Sequence, residues 1–317
     1  MTITRESIYG GLSGAKIECD SFDLGEGTIL RKTFAHFTSP YLVAFSPPTH
    51  PGAPHPAPWK PARGGFGFDV EIELKGPDGN PLGENFTPPE TIWWIVALLR
   101  LGGLPFLSVP ILSNHPFNSI PNSEKEPELR PFETEARMFG PPDKSVPVIG
   151  SELLEWAKSR WIPAGRLLNT NRKFHAAMKA FDYATVRGKS SASLLAMWGA
   201  LEQLFSPSPG ELRFRVACLM SSYLEPPGQR RFALYKELLQ LYDKRSVAAH
   251  TASEAESVHV VQTYVLMRNA LMLMIEENQV PTRDDLEAML FSCLAGPSPP
   301  GWHRERPAQE PPHAKAL

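Results

Sequence analysis

The sequence predicts an α+β protein, with a strand-rich mixed domain over residues 1–145 followed by an all-helical bundle over 150–295. Two observations carry this reading. Of the 33 prolines, 21 precede residue 150, a density that a helix-rich core does not tolerate. From Ser151 onward, apolar residues recur at helical spacing instead of alternating. A chain of 317 residues is long enough for two ordinary domains with buried cores.

In the first domain, Tyr41–Phe45, Phe66–Leu74 and Phe106–Val109 read as strands, the second by clean alternation. Pro77-Asp-Gly-Asn80 is a turn signal closing that second run. The proline-studded stretch from Pro40 to Pro61 reads as a long loop with extended segments. Pro88–Leu99 reads as one buried helix with proline at its start. Gly10-Gly-Leu-Ser-Gly14 and Gly64-Gly-Phe-Gly67 fit neither the nucleotide-binding loop nor the dinucleotide fingerprint and read as turns.

In the second domain, Ser151 caps a helix, and Phe174, Met178 and Phe181 share one face of the next. Ala192–Phe205 carries a broad apolar arc; Leu212–Leu224 and Phe232–Tyr242 follow as two further helices. A helix from about Glu254 to Glu277 is apolar on two adjacent seams. One seam runs through Val258, Val261, Val265, Met272 and Ile275, the other through Val260, Tyr264, Met267, Leu271 and Met274. Such a helix is either central or shared with a partner chain. Residues 296–317 are proline-rich and polar and read as a disordered tail.

Composition narrows the function classes. The net charge of −2 gives no global basic field, although residues 151–317 hold 20 Lys and Arg against 17 Asp and Glu. Cys19, Cys218 and Cys293 lie far apart, without the spacing of a zinc site or a disulfide framework. There is no GxSxG or HExxH motif, and His50 and His55 sit in a proline-rich loop without carboxylate partners. No metal and no cofactor are expected. The apolar stretch Ile92–Leu112 is broken by Arg100, Gly102, Gly103, Pro105 and Pro110, so no membrane span is expected there. With no basic-then-apolar leader at the N-terminus, the expected location is cytoplasmic.

The candidate chemistry lies in Leu241-Tyr-Asp-Lys-Arg-Ser-Val-Ala-Ala-His250. Arg245 supplies a fixed, forked positive charge and His250 an imidazole that exchanges protons near neutral pH. Spacing alone is weak, because Arg31…His36 repeats it in a strand-like context. Five residues along a helix rotate by roughly 140°, so Arg245 and His250 do not share a face, whereas Ser246 and His250 do. A bent helix or a second chain is therefore expected to complete the geometry. Glu202, at the edge of the Ala192–Phe205 arc, is expected either to orient Arg245 or another basic side chain, since burying a lone carboxylate is costly, or to stay solvated at the boundary of the arc. Asp243 and Tyr242 flank the motif and read as helix-end and core residues; Arg213 and Arg215 are candidate phosphate contacts, although a plain exposed helix face explains them more simply. The structural reading of the same residues stays open: Arg245 neutralises a helix end or pairs with a carboxylate, and His250 caps a helix or sits in the core.

Three stretches resemble the HEPN superfamily, in particular its Apea-like branch. Trp198-Gly-Ala-Leu-Glu-Gln-Leu-Phe205 resembles that branch's "LExLF" helix, and Glu211-Leu-Arg-Phe-Arg-Val-Ala217 resembles the helix after it. Leu241–His250 is similar to its "YxxRSxxxH" signature; the branch often has Gly after the His, where Thr251 stands here. The resemblance implies a helical bundle that commonly forms homodimers. It also implies a metal-independent endoribonuclease with two Arg/His motifs facing one cleft, and a role in antiviral (antiphage) defence. On that reading Arg245 and His250 are catalytic, Ser246, Glu202 and Asp243 supporting, and RNA is the partner. The first domain becomes a sensor whose trigger ligand is unknown. The alternative is a catalytically inactive HEPN module that binds RNA or a protein and mediates dimerisation.

Overall fold

The computed structural model describes residues 7–37, 41–62, 67–84, 86–135, 137, 146–186, 190–205, 211–250 and 255–292. The chain is α+β. Its residues fall into two compact units, one drawn from Met1–Thr134 and Gly140–Lys158, the other from Glu135–Phe139 and Ser159–Leu317. The tail over 296–317, Thr251, Cys293 and Gly64–Phe66 lie outside the described residues.

The first unit is built on strands β1 (Tyr9–Ser13), β3 (Ser21–Gly25), β4 (Thr28–Phe37), β7 (Phe68–Lys75), β8 (Ser108–Ser113) and β9 (Leu129–Pro131). They form one antiparallel sheet in the order β3-β4-β7-β1-β8-β9. Two smaller pairings join β2 (Lys16–Ile17) to β10 (Val148–Ile149), and β5 (Tyr41–Ala44) to β6 (Trp59–Ala62). The glycines at Gly10 and Gly11, expected in a turn, lie instead in the interior strand β1. The reason is close packing: a Cβ on Gly10 would come within 2.8 Å of Ile92, and one on Gly11 within 2.8 Å of both Phe117 and Val70. Gly14, with φ at +94°, ends the strand.

Helix α1 (Pro88–Gly102) is the expected buried helix, with its apolar residues from Ile92 to Leu101 in the core. Thr87 and Glu90 form a reciprocal capping box at its start. Arg100 is buried and donates from Nε to Leu107 O at 2.7 Å and from Nη2 to Glu133 at 2.5 Å. Glu133 also accepts from the Val109 N–H, so the buried cation is paired and bonded.

The second unit is helical: α2 (Ser151–Thr170, which crosses the boundary between units), α3 (Arg172–Tyr183), α4 (Ser190–Phe205), α5 (Leu212–Leu224), α6 (Gln229–His250), α7 (Ser257–Glu276) and α8 (Arg283–Leu290). Helix α4 is the hub, packed against α3, α5, α6 and α7. Trp161, Phe174, Phe181, Trp198 and Phe205 are fully buried, and Phe181 stacks on Tyr264 at 4.4 Å. The expected face of Phe174, Met178 and Phe181 is wholly internal. Arg137 docks on the end of α3, donating to the Asp182 carbonyl at 3.0 Å and to the Thr185 hydroxyl.

The two seams of α7 have different fates. Val260, Tyr264, Met267, Leu271 and Met274 are all buried, as are Met272 and Ile275 of the other seam. Val258, Val261 and Val265 are exposed. Among the described residues α7 is the one helix long and apolar enough to cross a membrane, and most of it is packed inside the fold.

Candidate functional site

Helix α6 continues without a break through the motif to His250, past the Tyr242 end expected from its apolar face. Nothing between Leu241 and His250 stops a helix, since neither Pro nor Gly occurs there. Arg245 and His250 therefore sit on one regular helix, about 7.5 Å apart along its axis and roughly 140° around it. His250 is exposed in the last turn, at the carbonyl end of the helix. Ser246 is half-buried on the same side of the helix as His250.

Arg245 is turned toward α4. Its Nη2 lies 3.2 Å from Glu202 Oε1, and the same oxygen accepts the Tyr242 hydroxyl at 2.9 Å. The guanidinium carbon stands 5.4 Å from the Tyr242 ring centroid, within cation–π range. Trp198 meets the same ring edge-on at 5.3 Å. The expected carboxylate is thus in direct contact with the expected arginine, and Tyr242 shares the same oxygen. Both ends are sheltered: the Arg245 side chain is 24% exposed and the Glu202 side chain 17%. Burial, then the bond to Glu202 and its charge, push the Tyr242 phenol above its ordinary range, with Arg245 opposing. Tyr242 therefore remains a donor through neutral and mildly alkaline pH.

Two donors in this knot, Arg245 Nε and Trp198 Nε1, are buried with no acceptor among the described residues. Each costs about 1–3 kcal/mol where it is left without a partner.

Asp243 and Arg213 form a second pair, at 2.6 Å and 2.7 Å, on the exposed side where α5 meets α6. The fork holds the Asp243 carboxyl below the usual carboxylate range and raises Arg213 in turn. The Arg213 fork is filled by this carboxylate, and Arg215, two residues on along α5 and so on another side of the helix, is half-buried. The other Arg…His spacing lies on β4, where Arg31 pairs with buried Glu73 and exposed His36 with Asp69 at 2.6 Å. His50 and His55 lie in the loop between β5 and β6, and the His55 Nδ1 sits 2.8 Å from the Ser46 carbonyl. Among the described residues no group of three His, Cys, Asp or Glu could hold a metal ion.

No protein-family model matches the chain, and no curated protein or solved structure shows significant similarity to it.

Proposed function

We propose that this protein is a metal-independent endoribonuclease of HEPN type, cytoplasmic and acting in antiphage defence or as a toxin-like effector. The observation that carries the proposal is the shared bond of Tyr242 and Arg245 to Glu202. It joins, residue to residue, two of the three sequence stretches whose resemblance suggests a HEPN domain.

RNA carries its own nucleophile. In the proposed reaction the 2′-oxygen forms a bond to the adjacent phosphorus while the bond to the 5′-oxygen breaks. An imidazole accepts the 2′-hydroxyl proton and a second acid supplies one to the leaving 5′-oxygen, leaving a 2′,3′-cyclic phosphate and a 5′-hydroxyl. The Arg245 guanidinium stabilises charge on the phosphoryl oxygens. Within one chain His250 and Arg245 point apart, so the reacting centre is assembled from two copies of the motif in a homodimer. The first unit acts as the sensor that governs this dimer.

A second reading, a catalytically silent module, is favoured by that same divergence and by the commitment of Arg245 to Glu202. Growth and cleavage separate the two. Expression of the wild type is expected to arrest growth, and His250→Ala or Arg245→Ala to relieve the arrest. Purified protein is expected to cut single-stranded RNA in the presence of a chelator. Equal arrest by all three forms, or strict dependence on added metal, rejects the proposed site.

A further inference from the structure

The exposed side of α5 and α6 carries more aromatic surface than a solvated helix pair needs. Phe214 and Phe232 are each 52% exposed, and Tyr235 lies between them. The Phe232 and Tyr235 rings are within 18° of parallel, with centroids 6.4 Å apart. Phe214 meets Tyr235 edge-on at 6.3 Å. The Lys236 ammonium stands 4.3 Å from the Phe232 centroid. In register along α6, Phe232, Tyr235, Lys236 and His250 fall on one side of the helix, over about 27 Å of its length. The aromatic patch and the exposed imidazole therefore share a face, whereas Arg245 approaches from the α4 side.

We infer that this face is a stacking platform for single-stranded RNA, leading the strand along α6 to His250; the inference rests on the ribonuclease reading above. Exposed rings take the π-faces of unpaired bases with little regard to sequence, and nearby cations hold the phosphates. Charge favours this occupant through the Lys236 ammonium on the face itself, within residues 211–250 that hold seven Lys and Arg against four Asp and Glu, Arg213 and Arg245 among them being paired with carboxylates. A duplex hides its base faces in its own stack, so the platform selects single strands. The Arg213–Asp243 pair lies on this path, since Asp243 falls about 20° from the line joining Phe232 and His250, as a neutral unit that a phosphate can open on the arginine side.

The test uses the full-length protein and a fluorescein-labelled oligouridine, with an RNA duplex of equal length for comparison, followed by fluorescence anisotropy. The wild type is expected to bind the single strand more tightly than the duplex. Phe214→Leu and Phe232→Leu are each expected to weaken oligouridine binding about fivefold or more, and to act together in the double variant. Circular dichroism guards against misfolding, and Phe34→Leu, at an exposed position of the other unit, is expected to bind as the wild type does. Oligouridine binding unchanged in the double variant, or no preference over duplex, overturns the platform whatever the cleavage result. If the double variant changes the mass in light scattering but not RNA binding, the face is a protein-docking surface and the inference fails. His250→Ala tests the other reading separately: a variant that cuts RNA as well as wild type removes the ribonuclease site and leaves the platform to stand on its binding data.

Discussion

Glu202 accepts from two donors of different kind through one oxygen, a neutral phenol and a guanidinium. Removing it leaves both without their acceptor in a sheltered place. Glu202→Ala is therefore expected to cost about 2 kcal/mol of stability, the range for hydrogen bonds to charged groups. Tyr242→Phe is expected to cost less, about 1 kcal/mol, and chemical denaturation of both singles and the double variant is expected to show coupling between them. Additive losses would mean that the shared bond contributes nothing. The raised Tyr242 phenol has a definite sign: its contribution is fully present below the ordinary tyrosine range and is lost only as pH rises through the higher folded value. At this scale the sequence is half legible. An acid at the edge of an apolar arc seeks a cation or donors, which makes a basic side chain such as Arg245 an expected partner of Glu202 without singling that arginine out. Tyr242 reads as core on a wheel, because nothing local reveals that its hydroxyl reaches a carboxylate forty residues earlier. The Arg213–Asp243 pair is equally hidden, since it depends on the register of α5 against α6.

The two elements that depart most from the sequence reading do so for opposite reasons. Strand β1 contains two adjacent glycines, no β-branched residue and no alternation, so every local signal points to a turn. Only the sheet reveals why glycine is needed, with Ile92 on one side and Phe117 and Val70 on the other. Gly11→Ala is accordingly expected to destabilise by about 1–3 kcal/mol through overpacking, although alanine is the better residue for an ordinary strand. A thermal melt equal to that of the wild type would show that these neighbours give way freely. Helix α6 was legible up to Tyr242 because its apolar face is periodic there. The continuation to His250 rests on the absence of a stop signal, a weaker kind of information, yet it sets the geometry of the motif. Helices α4, α5 and α7 lie close to their expected spans, as long amphipathic or buried segments do, and α3 buries its expected face. Helix α8 is short, and one side chain, Leu286, is its buried anchor, which is too little periodicity to detect.

At the scale of the whole molecule, the proposed chemistry needs a second copy, and α7 carries a surface suited to one. Three valines one to two turns apart, Val258, Val261 and Val265, are exposed on a helix whose other apolar residues are buried. Valine at successive turns is expensive to leave in water and ordinary in a helix–helix interface. The stripe begins eight residues after His250, so an isologous contact along it would be made by the helix that follows the motif in each copy. Val261→Glu with Val265→Glu is expected to convert a particle of twice the 35.2 kDa chain mass into one of the chain mass, measured by light scattering. Cleavage is expected to fall with the dimer, because each Arg245 would lose the partner copy's His250. Mixing an Arg245→Ala chain with a His250→Ala chain sharpens the question, since a site assembled across two copies regains one intact Arg–His combination in the mixed dimer. Recovery of RNA cleavage on mixing supports a composite centre; no recovery, with mixed dimers demonstrably formed, confines the chemistry to single chains and returns weight to the silent module.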